Sequence, residues 1–351
     1  MSEKQSIAFF ELHQPWERAY LEAQLSDLSL RFAPGILDEQ SVSQVADADI
    51  VSVFIRSKVS RGVMEQIPGL GLVATRSTGF DHVDTAAARE RGVVVSNVPA
   101  YGENTVAEHV FGLILTLSRK IMQAYRRVSQ GQLSLEGLMG FDLMGKTLGV
   151  VGAGRIGLHV IRIARGFNMN VLAYDVRPQP LLAEVLGFSY APLGELLQRA
   201  DIITLHTPYM PQTHHLINRD SFKLMKRGAL LINTARGGLV DTAALLEALD
   251  DGILAGAGLD VIEGEELIGE EQRLVASPVA EDTLRTVLRH HALLRYENVI
   301  ITPHIGFYSR EAVERILDTT VSNIRSFLAG QPTNSVDGTG DAALQAGQKA
   351  A

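Results

Sequence analysis

The chain has 351 residues, of which 46% are hydrophobic, and carries a formal net charge of −8 with a sequence pI near 5.7. That length supports two hydrophobic cores rather than one, and an acidic balance with both signs interspersed leaves no basic field for nucleic acid or an anionic membrane surface. The absence of cysteine excludes disulfides, thiolate metal sites and a cysteine nucleophile, and suits a reducing compartment. The apolar run at 7–10 ends at Glu11 and does not make a signal peptide. The longest helical apolar stretch, 110–117, falls far short of the ~18 residues a membrane span needs, so a soluble, cytoplasmic protein is expected.

Short apolar, β-branched runs recur at 7–10, 28–32, 50–55, 72–75 and 93–96, separated by segments at 17–25, 41–47 and 85–91 that fit crossover helices. The runs are continuously apolar rather than alternating, as strands covered on both faces are, which predicts a parallel α/β unit. Residues 102–128 then place Val106, Val110, Leu113, Leu117 and Ile121 on one side, reading as one long helix that connects two domains.

Residues 148–157 run from a strand into Gly152-Ala153-Gly154-Arg155-Ile156-Gly157 and on into a helix-compatible segment to Phe167. This is the strand, turn and helix order of a dinucleotide site. Gly152 permits the tight turn, Gly154 lets backbone approach a pyrophosphate, and Gly157 lets the helix pack on its strand. The anion then sits on the helix N-terminus. A second strand, 170–174, ends at Asp175, where a carboxylate accepts from a ribose diol and repels a 2′-phosphate. That favours NAD, with Arg177 leaving room for some NADP tolerance; the plainer alternative for Asp175 is a strand-end turn residue.

Further strands are expected at 202–205, 229–233, 255–260 and 299–302, completing a doubly wound sheet. The connection 263–297 is far longer than usual. Its second half carries Leu284, Val287, Leu288, His291 and Leu294 at helical spacing, which reads as an added amphipathic surface helix, against a lid or substrate-contacting role. Residues 309–329 form a helix expected to return to the first unit. From about Gln331 the chain has no apolar period and reads as disordered or crossing to a partner.

Three polar residues fall just after carboxyl ends of expected strands, where a doubly wound sheet presents its functional edge: Arg236, Glu265 and His304. Singly, each reads equally as a solvated loop residue. Together they make a carboxylate-binding guanidinium and a histidine that an acid orients and keeps protonated, so that it donates a proton near neutral pH.

The chain resembles the D-isomer-specific 2-hydroxyacid dehydrogenases, and within them the D-lactate dehydrogenase branch, over residues 5–335. The resemblance rests on Arg76-Ser77-Thr78-Gly79-Phe80-Asp81-His82-Val83-Asp84, Pro99-Ala100-Tyr101 with Ala107-Glu108-His109, the glycine turn with Asp175, His206-Thr207-Pro208, 233–237, Gly258-Leu259-Asp260 with Glu265, and Thr302-Pro303-His304. It implies a flavodoxin-like substrate domain formed by 1–100 and 303–335, a Rossmann-type NAD domain at 101–302 and a flexible tail at 336–351. It further implies reduction of a 2-oxo acid in a cleft between the domains, pyruvate foremost. Arg236 would bind the carboxylate and polarise the carbonyl, His304 would be the acid/base and Glu265 its partner. Thr78, Gly79, Tyr101 and Phe307 would meet substrate. Gly152, Gly154, Arg155, Ile156, Gly157, Asp175, His206, Thr207, Pro208, Thr234, Ala235, Arg236, Asp260 and His304 would line the NAD site, with no metal. A homodimer is expected, with a small 2-oxo or 2-hydroxy acid as the other partner. Asp81-His82 departs from the commoner Asp-Asn and is expected to alter supporting hydrogen bonds without removing activity. Branched or aromatic 2-oxo acids are the alternative substrates. Formate oxidisers are disfavoured because they replace the histidine's acidic partner by an amide. An NAD-sensing corepressor, a binding protein of similar fold, is the alternative from another class.

Overall fold

A computed structural model describes residues 5–265 and 281–336. They form two units, 5–101 with 309–336, and Gly102–Tyr308.

The first unit is built on a five-stranded parallel sheet: β1 (Ser6–Phe9), β2 (Ser29–Phe32), β3 (Ile50–Val53), β4 (Leu72–Thr75) and β5 (Val94–Ser96), in the order β2-β1-β3-β4-β5. That is the flavodoxin-like order. Every residue of β3 and β4 is buried, as the unbroken apolar runs require. Helices Pro15–Gln24 (α1) and Thr85–Glu90 (α3) stand close to their expected places, the latter capped by the Asp84 side chain on Ala87 N–H. The expected helix at 41–47 is only a short 3₁₀ turn, Val42–Val45, and a short helix, Arg61–Glu65 (α2), was not anticipated. The segment beyond Gln331 departs from expectation. Residues 334–336 run antiparallel to β5, with Asn97 N–H donating to Asn334 O at 3.0 Å and Val336 N–H to Val95 O at 2.9 Å, so edge pairing orders a stretch without apolar period. Of the tail expected at 336–351, Val336 is held by this pairing and the rest lies outside the described residues.

The long helix expected at 102–128 is two helices, Glu103–Ser118 (α4) and Ile121–Ser129 (α5). The break has a tertiary cause: Lys120 is left-handed at φ 53°, and the Ser118 carbonyl accepts from Phe141 N–H at 2.9 Å instead of continuing the helix. The second sheet has seven parallel strands: β6 (Thr147–Val151), β7 (Asn170–Tyr174), β8 (Ser189–Tyr190), β9 (Ile202–Leu205), β10 (Ala229–Asn233), β11 (Leu254–Leu259) and β12 (Val299–Ile301). Their order is β12-β11-β10-β9-β6-β7-β8, the two-half arrangement of a dinucleotide-binding sheet whose connections reverse direction between β6 and β9. The two-residue β8 was too short to read from pattern. One apolar cluster packs Val160, Ile161 and Ala164 of Arg155–Gly166 (α6) with α4 residues Val110, Leu113 and Leu117 on one face of this sheet; another covers the opposite face. The division between units falls at Tyr308/Ser309 rather than at Thr302/Pro303, because buried Asp260 binds the backbone of 305 and 306 into the second unit. No described helix is long and apolar enough to cross a membrane.

Candidate active site

The glycine turn lies at the switch point between β6 and β9, where crossing loops leave a crevice. Gly152 and Gly157 do what their positions predicted. Gly152 has φ +99°, and a Cβ there would lie 2.7 Å from the His206 carbonyl oxygen of the loop after β9. A Cβ on Gly157 would overlap the Gly152 carbonyl, so helix α6 could not approach its strand. A Cβ on Gly154, by contrast, would meet nothing within 4 Å: the turn opens on free space at the helix N-terminus, beside first-turn amides that intrahelical bonds cannot satisfy.

Asp175 ends β7, with Oδ2 accepting from Ala153 N–H and Oδ1 from Arg177 N–H, each at 2.8 Å. The carboxylate therefore ties the second strand to the glycine turn and caps its own turn, and keeps lone pairs for a ligand. The Thr207 and Thr234 hydroxyls, after β9 and β10, are buried with no protein partner, which is costly unless a ligand group pairs with them. His206 bonds Thr204 Oγ1 through Nε2 at 2.9 Å, and burial pushes its pKa down to about 3, so it stays neutral. A cradle free of Cβ atoms, a carboxylate for a ribose and two unpaired buried hydroxyls fit a dinucleotide. Gly152, Gly154, Arg155, Ile156, Gly157, Asp175, His206, Thr207, Pro208, Thr234 and Ala235 are the residues that would hold it.

The three polar candidates follow three neighbouring strands. In the ladder Asn233 pairs with Leu259, and Leu259 with Ile301; Arg236, Ile262 and His304 each come three residues later, leaving the sheet at one level. Arg236 is presented by a stapled loop. The Asn233 side chain accepts from Ala235 N–H at 3.1 Å and donates to Arg236 O at 2.9 Å, while Arg236 Nη1 donates to Ala235 O at 2.8 Å. A Cβ on Gly237 would overlap the Ile262 carbonyl, so glycine is what lets the Arg236 loop lie against the loop carrying Glu265. His304 Nδ1–H donates to Glu265 Oε1 at 2.8 Å, and Glu265 Oε2 accepts from Ile262 N–H at 3.3 Å. With its proton on Nδ1 committed to the carboxylate, the ring exchanges protons at Nε2.

Asp260, expected to line the cofactor, is 2% exposed and is taken up by the His304 loop. Its oxygens accept from Thr302 Oγ1 at 2.5 Å, Ile305 N–H at 2.9 Å and Gly306 N–H at 2.8 Å, and His109 Nε2 lies 3.4 Å away. Burial alone would raise its pKa, but these hydrogen bonds, that of His109 foremost, hold it below the usual carboxylate value. His109, Thr302 and Asn233 are supporting residues that the sequence left without a role; all three stood inside the quoted motifs, but a motif does not say what a side chain touches.

In the first unit, Thr78 and Gly79 follow β4. Neither main-chain N–H has an acceptor among the described residues. His82 supports this loop through a relay: Nε2 to Thr75 Oγ1 at 3.0 Å, Thr75 Oγ1 to Ser77 Oγ at 2.7 Å, and Ser77 Oγ–H to Gly79 O at 2.6 Å. Beneath it Arg76 is almost fully buried, donating to Ser52 Oγ at 2.9 Å and Glu11 O at 3.1 Å, and burial lowers its pKa to about 10. Tyr101 is partly buried, with its carbonyl accepting from Arg315 Nε. Phe307, in the second unit, is buried edge-on against Tyr308 at 5.5 Å.

A doubly wound sheet with a glycine turn at its switch point, an acid-paired histidine and a stapled arginine on adjacent strands defines an NAD-binding oxidoreductase. Comparison with known proteins makes the class specific. Residues 111–306 match the model of the NAD binding domain of the D-isomer specific 2-hydroxyacid dehydrogenases, and the chain belongs to that family. It is 38% identical over 325 residues to a 2-hydroxyacid dehydrogenase homolog of Haemophilus influenzae, covering 92% of this chain and 96% of that one. It is 40% identical over 291 residues to an aromatic 2-oxoacid reductase of Clostridium sporogenes, covering 82% and 85%. The structure of D-lactate dehydrogenase from Aquifex aeolicus complexed with NAD and lactic acid aligns with a TM-score of 0.83 at 37% identity, covering 95% of this chain and 99% of that one. The cofactor is NAD.

Proposed function

We propose that the chain reduces a small 2-oxo acid, pyruvate foremost, to the D-2-hydroxy acid with NADH, and runs the reverse reaction. The observation that carries this reading is the 2.8 Å bond from His304 Nδ1–H to Glu265, in the same row of strand ends as Arg236. Bound NADH supplies the hydride to C2 of the oxo acid. Arg236 holds the substrate carboxylate through its planar fork and faces the carbonyl oxygen as charge grows there. His304, protonated at the start, gives the Nε2 proton to that oxygen and ends neutral; in oxidation it begins neutral and takes the proton back. Glu265 keeps the ring in the tautomer both directions need. The free amides of Thr78 and Gly79 are suited to donate to a carboxylate, and Tyr101 and Phe307 are the side chains assigned to substrate contact.

The likeness to a D-lactate dehydrogenase supports pyruvate. A second reading, a reductase of aromatic 2-oxo acids, is favoured by the relative of that name. Initial rates with NADH on pyruvate, 2-oxoisocaproate and phenylpyruvate, followed at the nicotinamide absorbance, decide between them: kcat/KM highest on pyruvate supports the first. No turnover on any 2-oxo acid rejects both and leaves the corepressor-like binding role. We further propose a homodimer, supported by the exposed apolar side chains Tyr125, Val128, Leu133, Leu135 and Met139 in and after α5.

A further inference from the structure

Two acids flank Gly264, and the reaction proposed above uses only Glu265. They share one turn. Glu265 N–H donates to Ile262 O at 3.2 Å, and Gly264 supplies the positive φ, +72°, that closes it. In a turn this short, the placement of Glu263 sets that of Glu265.

Glu263 is clamped from three elements. His215 Nε2–H donates to its Oε1 at 2.7 Å, and Thr242 Oγ1–H, from the first turn of helix α7 (Thr242–Asp250), donates to Oε2 at 3.0 Å. His290 Nε2–H donates to the Glu263 main-chain carbonyl at 2.7 Å. Nearby, His214 stacks on His215 with ring centroids 3.8 Å apart and accepts or donates at Nδ1 to Tyr209 OH at 3.1 Å.

His290 belongs to helix α8 (Glu281–Leu293), in the long inserted connection. The buried face of that helix is Val287, His290 and Leu293, whereas Leu284, Leu288 and Leu294 of the expected face are exposed. The apolar spacing misjudged the face because a histidine occupies its centre. His290 is 3% exposed; a leucine would fill that position without the cost of burying an imidazole, so packing alone does not call for it.

We infer that Glu263 is a positioning residue for Glu265, and that the inserted helix, through His290, holds the turn that aims Glu265 at His304. The inference rests on the reading of Glu265 as the partner of His304. Its test compares His290→Leu, which removes the donor, with His290→Gln, which keeps an N–H at similar reach. The readouts are kcat for 2-oxo-acid reduction, its pH profile, and the NADH dissociation constant from fluorescence titration without substrate. For His290→Leu, kcat should fall between roughly 10-fold and roughly 100-fold through misplacement of the pair. The alkaline limb should begin at lower pH, and NADH affinity should hold. His290→Gln should recover most of the rate. In a Glu265→Gln background, His290→Leu should move the limb no further, because the two changes act on one interaction. Glu263→Gln, which leaves the main-chain carbonyl in place, should show the same signature in weaker form and serves if His290→Leu does not fold. Parental kcat and limb in His290→Leu, equal impairment of the Gln variant, or NADH affinity falling in step with kcat would overturn the inference while the proposed function stands. A parent protein that reduces no 2-oxo acid would overturn both.

Discussion

At His304 the backbone itself is unusual: φ is 56°, in the left-handed region that non-glycine residues avoid at a cost on the order of 1 kcal/mol or more. Neighbouring bonds over-determine it, since His304 N–H donates to Asp260 O at 2.9 Å and the next two amides donate to the Asp260 carboxylate. The strained conformation points the ring at Glu265 before any substrate arrives. Replacing Glu265 with Gln keeps shape and removes charge, so the imidazolium loses its stabilising neighbour. The alkaline decline of the reduction rate should then begin at lower pH than in the parent, and the rising limb of oxidation should move the same way; paired pH–rate profiles check this, and unshifted limbs would mean that another group supplies the charge. Arg236→Lys keeps charge but loses the bidentate fork. The expected result is a higher KM for the 2-oxo acid together with a kcat lower by roughly 10-fold or more, with NADH binding unchanged. Steady-state kinetics on pyruvate test it, and parental values would remove Arg236 from the site.

Among the elements, the strand, turn and helix from β6 to α6 act as one unit with the end of β7, because Asp175 is hydrogen-bonded to the turn it faces. That double engagement decides which substitution is informative. Alanine at 175 would release Ala153 N–H as well as removing the charge, whereas Asp175→Asn keeps an acceptor and cancels the repulsion of a 2′-phosphate. The parent should prefer NAD over NADP by a clear margin, and Asp175→Asn should narrow it, mainly by improving NADP. The measurement is kcat/KM for both reduced cofactors; equal efficiency in the parent would refute the role of the acid.

For the whole molecule, the desolvated ring of His206 links folding to pH. The unfolded chain protonates this ring below its ordinary value of 6.5, whereas the folded chain resists until about 3. Unfolding therefore takes up a proton across that window, so the contribution is fully present above 6.5 and is lost as pH falls, by at most ~1.4 kcal/mol per pH unit. Urea unfolding of the protein without added cofactor, at pH 7 and pH 5, should show a smaller stability loss in His206→Gln than in the parent; identical losses would contradict it. Assembly is the other property at this scale. Tyr125→Glu with Leu135→Glu should convert a dimer to monomers in sedimentation while leaving far-ultraviolet dichroism unchanged, and a monomeric parent would refute the proposed dimer.

How much of this was legible in the sequence follows from what each feature depends on. Continuous apolar runs mark strands buried on both faces wherever they lie, so β4, β7 and β10 came out at their observed limits. The glycine turn and Asp175 are local chemistry at fixed offsets, so the candidate NAD site could be read from them. Arg236, Glu265 and His304 could be proposed because each follows a recognisable strand, and the structure sets them after three neighbouring strands. The fold decided what depends on neighbours distant in sequence: the break at Lys120, made by Phe141; the ordering of 334–336, made by the edge of β5; and the inward turn of Asp260, made by 302–306 and His109. The buried face of the inserted helix belongs with these, because a histidine counts as polar until a carbonyl 27 residues away in sequence gives it a partner. A side chain's type is written in the sequence, but whether its polarity is satisfied is a property of the space around it, and only the packed chain defines that space.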